Sequence, residues 1–195
     1  MLLHATLGLD DLTDAVNRLT PLEVRLGDLE GKARTLFVER PDRVTLVPDR
    51  GLRIETAARL RWTIAGVVIP VTVQAARILV VPEIVRRDER DLLRLSLILE
   101  SADLRHVPAF VDAKVVDEVN EALRAEDARP TWHFLDTLTF RIGLPARLRS
   151  AEALELVARW GAMDIRKNEV VLTVSYVSAV DAGPAPAEGA STSTA

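Results

Sequence analysis

The feature that most constrains this chain is a long stretch in which apolar and polar side chains alternate. From Leu52 to Ile64 one face carries mainly leucine, isoleucine and tryptophan, and the other is rich in arginine. A period of two is typical of a β-strand with one buried face and one solvated face. At about 3.3 Å per residue the strand is about 43 Å long, more than twice the usual length. A strand of this length must twist and coil.

The same alternation recurs along most of the chain. Further alternating segments are Ile69–Ala75, Leu93–Leu99, Trp132–Ile142, Leu154–Trp160 and Val170–Tyr176, and two short strands are expected at Ala33–Glu39 and Arg43–Pro48. In the third of these segments Asp136 interrupts the apolar face. Consecutive strands that are joined by short turns predict antiparallel pairing.

Two segments instead carry apolar residues at helical spacing. The first runs from Leu9 to Leu19, with Asp10 or Asp11 expected as its N-cap and Pro21 as its stop. The second carries Val111, Val115, Val119 and Leu123, and is expected to start near Asp112 and to end before Pro130. The sequence therefore predicts an α+β fold, in which one long, strongly coiled antiparallel sheet, barrel-like, is accompanied by two helices.

Composition argues against several classes of function. The chain has no cysteine, which excludes disulfides, a thiolate nucleophile and cysteine-ligated metals. Its three histidines have no metal-ligand spacing, and no serine–histidine–acid arrangement can be read. We therefore expect neither a cofactor, nor a metal, nor an enzyme. A net charge of −4 argues against a nucleic-acid partner.

The chain reads as one domain with a tail. Residues 1–180 contain no linker and no convincing repeat, whereas residues 181–195 are small, polar and rich in proline and glycine, which predicts a disordered tail. The first residues lack the basic start and long apolar stretch of a secretory signal. The expected location is therefore the cytoplasm.

The amount of inward-facing apolar surface is what points to a function. The strands supply more apolar side chains than two helices can cover, so the sheet must close on itself, pair with another chain or hold something apolar. One interpretation is a self-filled core, and the other is a long groove for acyl chains. The alternation alone does not decide between a binding module and a structural or adaptor domain that binds protein partners.

A resemblance to a known family favours the groove. The stretch Leu46–Ile64 contains Val47-Pro48-Asp49-Arg50-Gly51-Leu52 at the start of the long strand. This stretch is similar to the tubular lipid-binding (TULIP) superfamily, in the half-module of the bactericidal permeability-increasing protein family. The helix followed by Pro21–Val24 and the segment Pro108–Val111 look like the first and second helices of that family. The resemblance covers about residues 5–178, and the family's disulfide is impossible here.

The resemblance implies a coiled sheet wrapped around helix, with a cavity that lipid can enter. The expected ligand is a lipid or a fatty-acid-like molecule, held by burial and not chemically changed. Together with the alternation it gives the expected lipid-binding residues, which are Leu60, Trp62, Ile64, Ile69, Val71, Leu95, Leu97, Leu99, Trp132, Phe134, Leu138 and Phe140.

Two further partners are expected. Loading of a lipid implies a transient contact with a membrane. A single half-module also leaves a sheet edge with unpaired N–H and C=O groups, which is a template for pairing with a second chain. We therefore expect a two-fold symmetric homodimer, with a monomer of blunted edges as the alternative.

Overall fold

The computed structural model describes residues 1–29, 32–64, 67–87, 90–104, 109–124, 129–143 and 153–181. In chain order these form β1 (Leu2–Gly8), α1 (Leu9–Leu19), β2 (Leu22–Leu29), β3 (Lys32–Val47), β4 (Gly51–Ile64), β5 (Val67–Arg87), β6 (Arg90–Leu104), α2 (Ala109–Leu123), β7 (Thr131–Trp132), α3 (Phe134–Thr137), β8 (Phe140–Gly143), β9 (Ala153–Ile165) and β10 (Glu169–Asp181). The expected tail of residues 181–195 begins one residue too early, because Asp181 ends β10, and its remaining residues lie outside the described residues, as does Pro108.

The strands form two antiparallel sheets, whereas the sequence predicts one. The smaller sheet has the order β1-β10-β9-β8, and the larger has the order β2-β3-β4-β5-β6-β7. The predicted continuous strand over Trp132–Ile142 is wrong, because Phe134–Thr137 forms α3. With a helix between them, β7 pairs with β6 and β8 pairs with β9, so the hydrogen-bond ladder divides at this point.

Helix α1 has the predicted extent, but its first turn is capped differently. The N-cap is Gly8, and neither Asp10 nor Asp11 takes that position. The Asp11 carboxylate instead accepts a hydrogen bond from the Gly8 backbone N–H at 3.2 Å. It thereby satisfies one of the donors that a helix start leaves unpaired. The helix ends before Pro21, as expected.

The sequence predicts two short strands, one on each side of Pro41, but the structure has a single strand, β3, across this position. The register with β4 shifts on both sides of the pair Pro41–Thr56, so the proline occupies an irregularity in a single strand. Thr56 is fully buried there, and its hydroxyl lies 3.0 Å from the Glu39 carbonyl and 3.1 Å from the Arg40 carbonyl. Because that hydroxyl can donate to either carbonyl, the strand tolerates the distortion without a break.

The larger of two hydrophobic clusters lies between one face of the six-stranded sheet and α2. Strands β3 to β6 contribute alternating residues such as Leu60 and Leu104, and α2 contributes Val115, Val119 and Leu123. A smaller cluster holds α3 on the four-stranded sheet, with Phe134 and Tyr176 at its centre. The fold is therefore mostly β, with curled sheets and few helices.

Helix α2 also covers the outer edge of β6. The Asn120 side chain accepts from the Leu99 N–H at 2.8 Å and donates to the Leu99 carbonyl at 2.9 Å. Asp112 accepts from the Leu104 N–H, and the Pro130 carbonyl accepts from the Leu95 N–H. A covered edge is not a template for pairing with another chain. The expected homodimer therefore has to use another edge, and it stays a prediction.

An ion pair crosses the solvent-facing side of the six-stranded sheet. Arg53 on β4 makes two hydrogen bonds to Glu100 on β6, at 2.6 and 3.1 Å. Between them on β5 stands Leu79, which pairs with Arg53 and is fully buried. Glu100 is the extra residue of a register shift between β5 and β6, which explains how an inserted carboxylate reaches this face.

Replacing Glu100 with glutamine is expected to lower stability at neutral pH by about 1 kcal/mol. The hydrogen bonds from Arg53 lower the pKa of the Glu100 carboxyl. Its contribution is therefore fully present above the unfolded pKa of about 4.3 and is lost as the pH falls through the lower folded pKa. Urea denaturation at several pH values measures the difference between wild type and E100Q, which should vanish in acid.

The matched control for that experiment is Glu83→Gln. Glu83 makes an equally short contact with Arg94, at 2.6 Å, but its side chain is mainly exposed. We expect a smaller effect, because solvent screens an exposed pair. An E100Q difference that does not change with pH would contradict the assignment.

Candidate functional site

The candidate site is an apolar cavity of about 480 Å³ enclosed by the two sheets and α1. Ligand sites in proteins typically have volumes of about 300–1,000 Å³. The cavity is also about three times the size of an apolar cavity that stays dry and binds benzene. The interior of the protein therefore has room for a ligand.

Nearly every element between β1 and β10 contributes to the wall. The helix and the first strands supply Leu7, Leu12, Ala15, Val16, Leu19, Thr20, Leu22, Val24, Leu36, Val38 and Leu46; strands β4 to β6 supply Gly51, Leu52, Ile54, Ile78, Val80, Pro82, Leu93, Leu95, Leu97 and Leu99; and Leu123, Pro130, Met163, Ile165 and Val170 complete it. In the part of the chain that the structure describes, the wall is thus aliphatic and carries no aromatic ring.

Strand register explains how the six-stranded sheet makes a continuous apolar floor. Leu46 pairs with Leu52, Leu52 with Val80, and Val80 with Leu97, so four strands present one row of side chains to the cavity. A second row joins Ile54, Ile78 and Leu99 in the same way. Residues two apart on a strand face the same side, so each additional row lengthens the floor.

Among the described residues of the wall, Thr20 is the one polar side chain. Its hydroxyl donates to the Val16 carbonyl of its own helix at 2.9 Å, and the residue is only 9% exposed. This hydroxyl is therefore already satisfied and has little to offer a ligand. None of the described residues that line the cavity is titratable. A wall of this kind can hold a ligand by burial and shape, but it cannot orient a polar group or perform acid–base chemistry.

The side of the cavity under α1 is the least enclosed. None of the residues of α1 is fully buried, although Leu12 and Val16 face the cavity. Leu7, Leu19 and Leu22 line the cavity and are also exposed to solvent. These three leucines form an apolar rim on this side.

The structure brings three of the twelve expected lipid-binding residues to the cavity, namely Leu95, Leu97 and Leu99. Leu60 and Val71 pack in the larger cluster, and Phe134 and Leu138 pack in the smaller one. Trp132 and Phe140 are 45% and 44% exposed. The side chains of Trp62, Ile64 and Ile69 lie outside the described residues. Whether these residues contact a lipid stays a prediction.

Several cavity residues were not among those expected from the sequence. Leu12, Val16 and Leu19 were recognised as the apolar face of a helix, and Val170 as part of a strand, but none was assigned to a site. The amphipathic helix followed by Pro21 was the available signal. The alternation in the sequence does not predict that β1 pairs with β10. This pairing places Leu7 beside Val170, so that both line one cavity.

Tyr176 is the one titratable group in the smaller cluster that lies beside the cavity. It is almost completely buried, and its hydroxyl has no hydrogen-bond partner. Desolvation by burial raises its pKa. Phe140 stacks against its ring, with ring centroids 6.4 Å apart. Within the described ranges, no three histidine, cysteine, aspartate or glutamate side chains gather as metal ligands would.

Comparisons with known proteins give a distant structural likeness. No protein-family model matches the chain, and a search of curated proteins finds no match. Among solved structures, the crystal structure of lipopolysaccharide binding protein matches 92% of this chain with 12% identity and a TM-score of 0.37. This chain spans half the length of that protein. A likeness of this size says nothing about a ligand, and membership of the TULIP superfamily stays a prediction.

Among the helices of the described residues, none has the length and apolarity that a membrane crossing requires.

Proposed function

We propose that this protein binds an elongated apolar ligand, such as the acyl chain of a lipid, in the cavity and does not change it chemically. The observation that carries the proposal is the aliphatic wall of a cavity of about 480 Å³, in which the one polar side chain is already hydrogen-bonded. A packed interior would favour the adaptor alternative. A cavity of ligand size favours binding.

Burial supplies the affinity in this proposal. Each square ångström of apolar surface that leaves water contributes about 25 cal/mol before the costs of ordering the ligand. Because the wall is aliphatic throughout, lengthening an acyl chain should raise affinity until the cavity is full. The rim of Leu7, Leu19 and Leu22 supports the expected transient membrane contact, since a chain that leaves a bilayer there passes an apolar surface.

The proposal predicts that protein purified without detergent carries an apolar ligand or binds one when it is offered. Native mass spectrometry tests the first arm, and titration with primary alcohols of increasing chain length tests the second. We expect affinity to rise about threefold to fourfold for each added methylene group and then to level off. A folded protein that neither retains nor binds any of these chains would overturn the proposal.

One observation favours the adaptor function as a second candidate. Phe140 and Ile142 on β8 and Val180 on β10 are large apolar side chains that are 44%, 47% and 61% exposed. The register of β8, β9 and β10 places them on one face of the four-stranded sheet. Exposed apolar patches of this kind are common at protein interfaces. Under this alternative the cavity would be incidental, and the titration above would show no binding.

A further inference from the structure

A second, smaller pocket lies at the outer edge of β6, between that strand and the end of α2. Its volume is about 260 Å³, and it is lined by Ser96, Leu97, Ile98, Asn120, Leu123, Arg124 and Arg129. Unlike the apolar cavity, this pocket, called the polar pocket below, is lined in part by two arginines, a serine and an asparagine whose amide already pairs with Leu99. A ligand group in it would therefore be polar and negatively charged.

The backbone of β6 adds a donor to the polar pocket. The Leu95 N–H points outward to the Pro130 carbonyl, and the Leu99 N–H points outward to Asn120. In an antiparallel strand, alternate residues direct their N–H groups to the same edge. The Leu97 N–H therefore points into the gap between these two contacts, where the pocket lies.

The two arginines differ in whether an interaction within the protein accounts for a positive charge at that position. Arg124 directly follows α2, where a cation stabilises the negative end of the helix dipole. Arg129 follows no helix, is half-buried, and has a buried Nε with no hydrogen-bond partner. Among the described residues neither guanidinium forms an ion pair, and Glu126 and Asp127 lie outside that part of the chain. A buried donor without a partner carries an energetic cost, and no contact among the described residues offsets it at the Arg129 Nε.

The polar pocket adjoins the apolar cavity. Leu97 and Leu123 line both of them. Pro130, the neighbour of Arg129, lines the cavity as well. The two arginines therefore lie beside the aliphatic wall, next to the two leucines that it shares with the polar pocket.

We infer that the ligand is a single-chain amphiphile with an anionic head group, a carboxylate or a phosphate, held by Arg124 and Arg129. Its chain passes Leu97 and Leu123 into the apolar cavity. The guanidinium fork matches both kinds of anion, and two full positive charges outweigh the partial negative charge at the end of α2. This inference rests on the proposed function and adds the chemical class of the ligand.

The test compares three ligands with the same chain, namely dodecanoate, dodecyl phosphate and 1-dodecanol, on wild type and on R124Q/R129Q. We expect wild type to bind at least one of the two anions about tenfold or more tightly than the alcohol. The double variant should lose this preference while its affinity for the alcohol is unchanged. The control R61Q/R159Q removes two exposed arginines, one from β4 and one from β9, and should still bind the anions more tightly than the alcohol.

The possible results separate this inference from the proposed function. If wild type binds the alcohol and the anions equally well, the cavity binds apolar chains but the head-group assignment is overturned. An equal loss of affinity for all three ligands in R124Q/R129Q would also overturn it, because the arginines would then act on the cavity itself. Tight binding of inorganic phosphate without any preference for the anionic amphiphiles would assign the polar pocket to a free anion. If no chain binds wild type, the proposed function itself fails.

Discussion

Val80→Trp is expected to abolish binding of apolar chains while leaving the protein folded. Val80 lies at the middle of the row that runs from Leu46 through Leu52 to Leu97, and its side chain faces the cavity. An indole at this position occupies space that the ligand needs. We expect affinity for a long alcohol to fall at least about tenfold, and stability to stay equal or rise by about 1 kcal/mol because a cavity is filled. Ligand titration and thermal unfolding measure the two effects.

Val81→Trp is the matched control for this experiment. Val81 is the next residue on the same strand, so its side chain points to the opposite face, where it pairs with Ser96. It is not part of the cavity wall, and its variant should bind ligand like wild type. Equal losses in V80W and V81W would show that β5 is disturbed as a whole. Full binding by V80W would show that the ligand lies elsewhere.

Gly51→Ala is expected to destabilise the protein by about 2–4 kcal/mol. Gly51 begins β4, and a Cβ atom built on it would lie 2.1 Å from the Val80 carbonyl oxygen and 3.0 Å from the Val80 carbonyl carbon. Both neighbours are backbone atoms of a central strand, so they can move only if β5 shifts. Because Val80 also belongs to the cavity wall, the same shift should weaken ligand binding. Urea denaturation of G51A and wild type measures the loss.

Gly143→Ala controls for the loss of a glycine. Gly143 ends β8, and a Cβ atom there would have no neighbour within 4 Å. The variant should stay within about 0.5 kcal/mol of wild type. If G51A were equally harmless, the close approach of β4 and β5 at Gly51 would not be a constraint on the fold.

Local patterns predict the strands well where each strand keeps one buried face. The expected strand Leu52–Ile64 is found as β4, and the cavity floor uses its alternate residues Leu52 and Ile54. The pattern fails at α3, because Phe134 and Leu138 are four apart and fit a helical face as well as a strand. Asp136, which interrupts the apolar face of the predicted strand, lies in that helix.

The site is harder to predict than the strands, because it depends on which elements meet. Leu95, Leu97 and Leu99 could be expected from alternation alone, and all three line the cavity. Val170 lies on a predicted strand and Met163 lies three residues beyond another, but their place in the wall depends on pairing between distant strands. No pattern in the sequence predicts the polar pocket, because Arg124 and Arg129 lie five residues apart in a segment without periodicity.

The pairing of β1 with β10 has a consequence for the order in which the protein folds. Leu2 pairs with Ser175, and the N-terminal amino group donates to the Tyr176 carbonyl, so contacts here join residues about as far apart as the described chain allows. Such contacts must overcome a large loss of chain entropy and form slowly, whereas the hairpins from β2 to β6 join sequence neighbours. We expect the strands of the cavity floor to pair early in folding, and β1, which carries Leu7, to pair with β10 late. During synthesis, the leucines of the floor stay uncovered until β10 has been made, which is when aggregation would compete with folding.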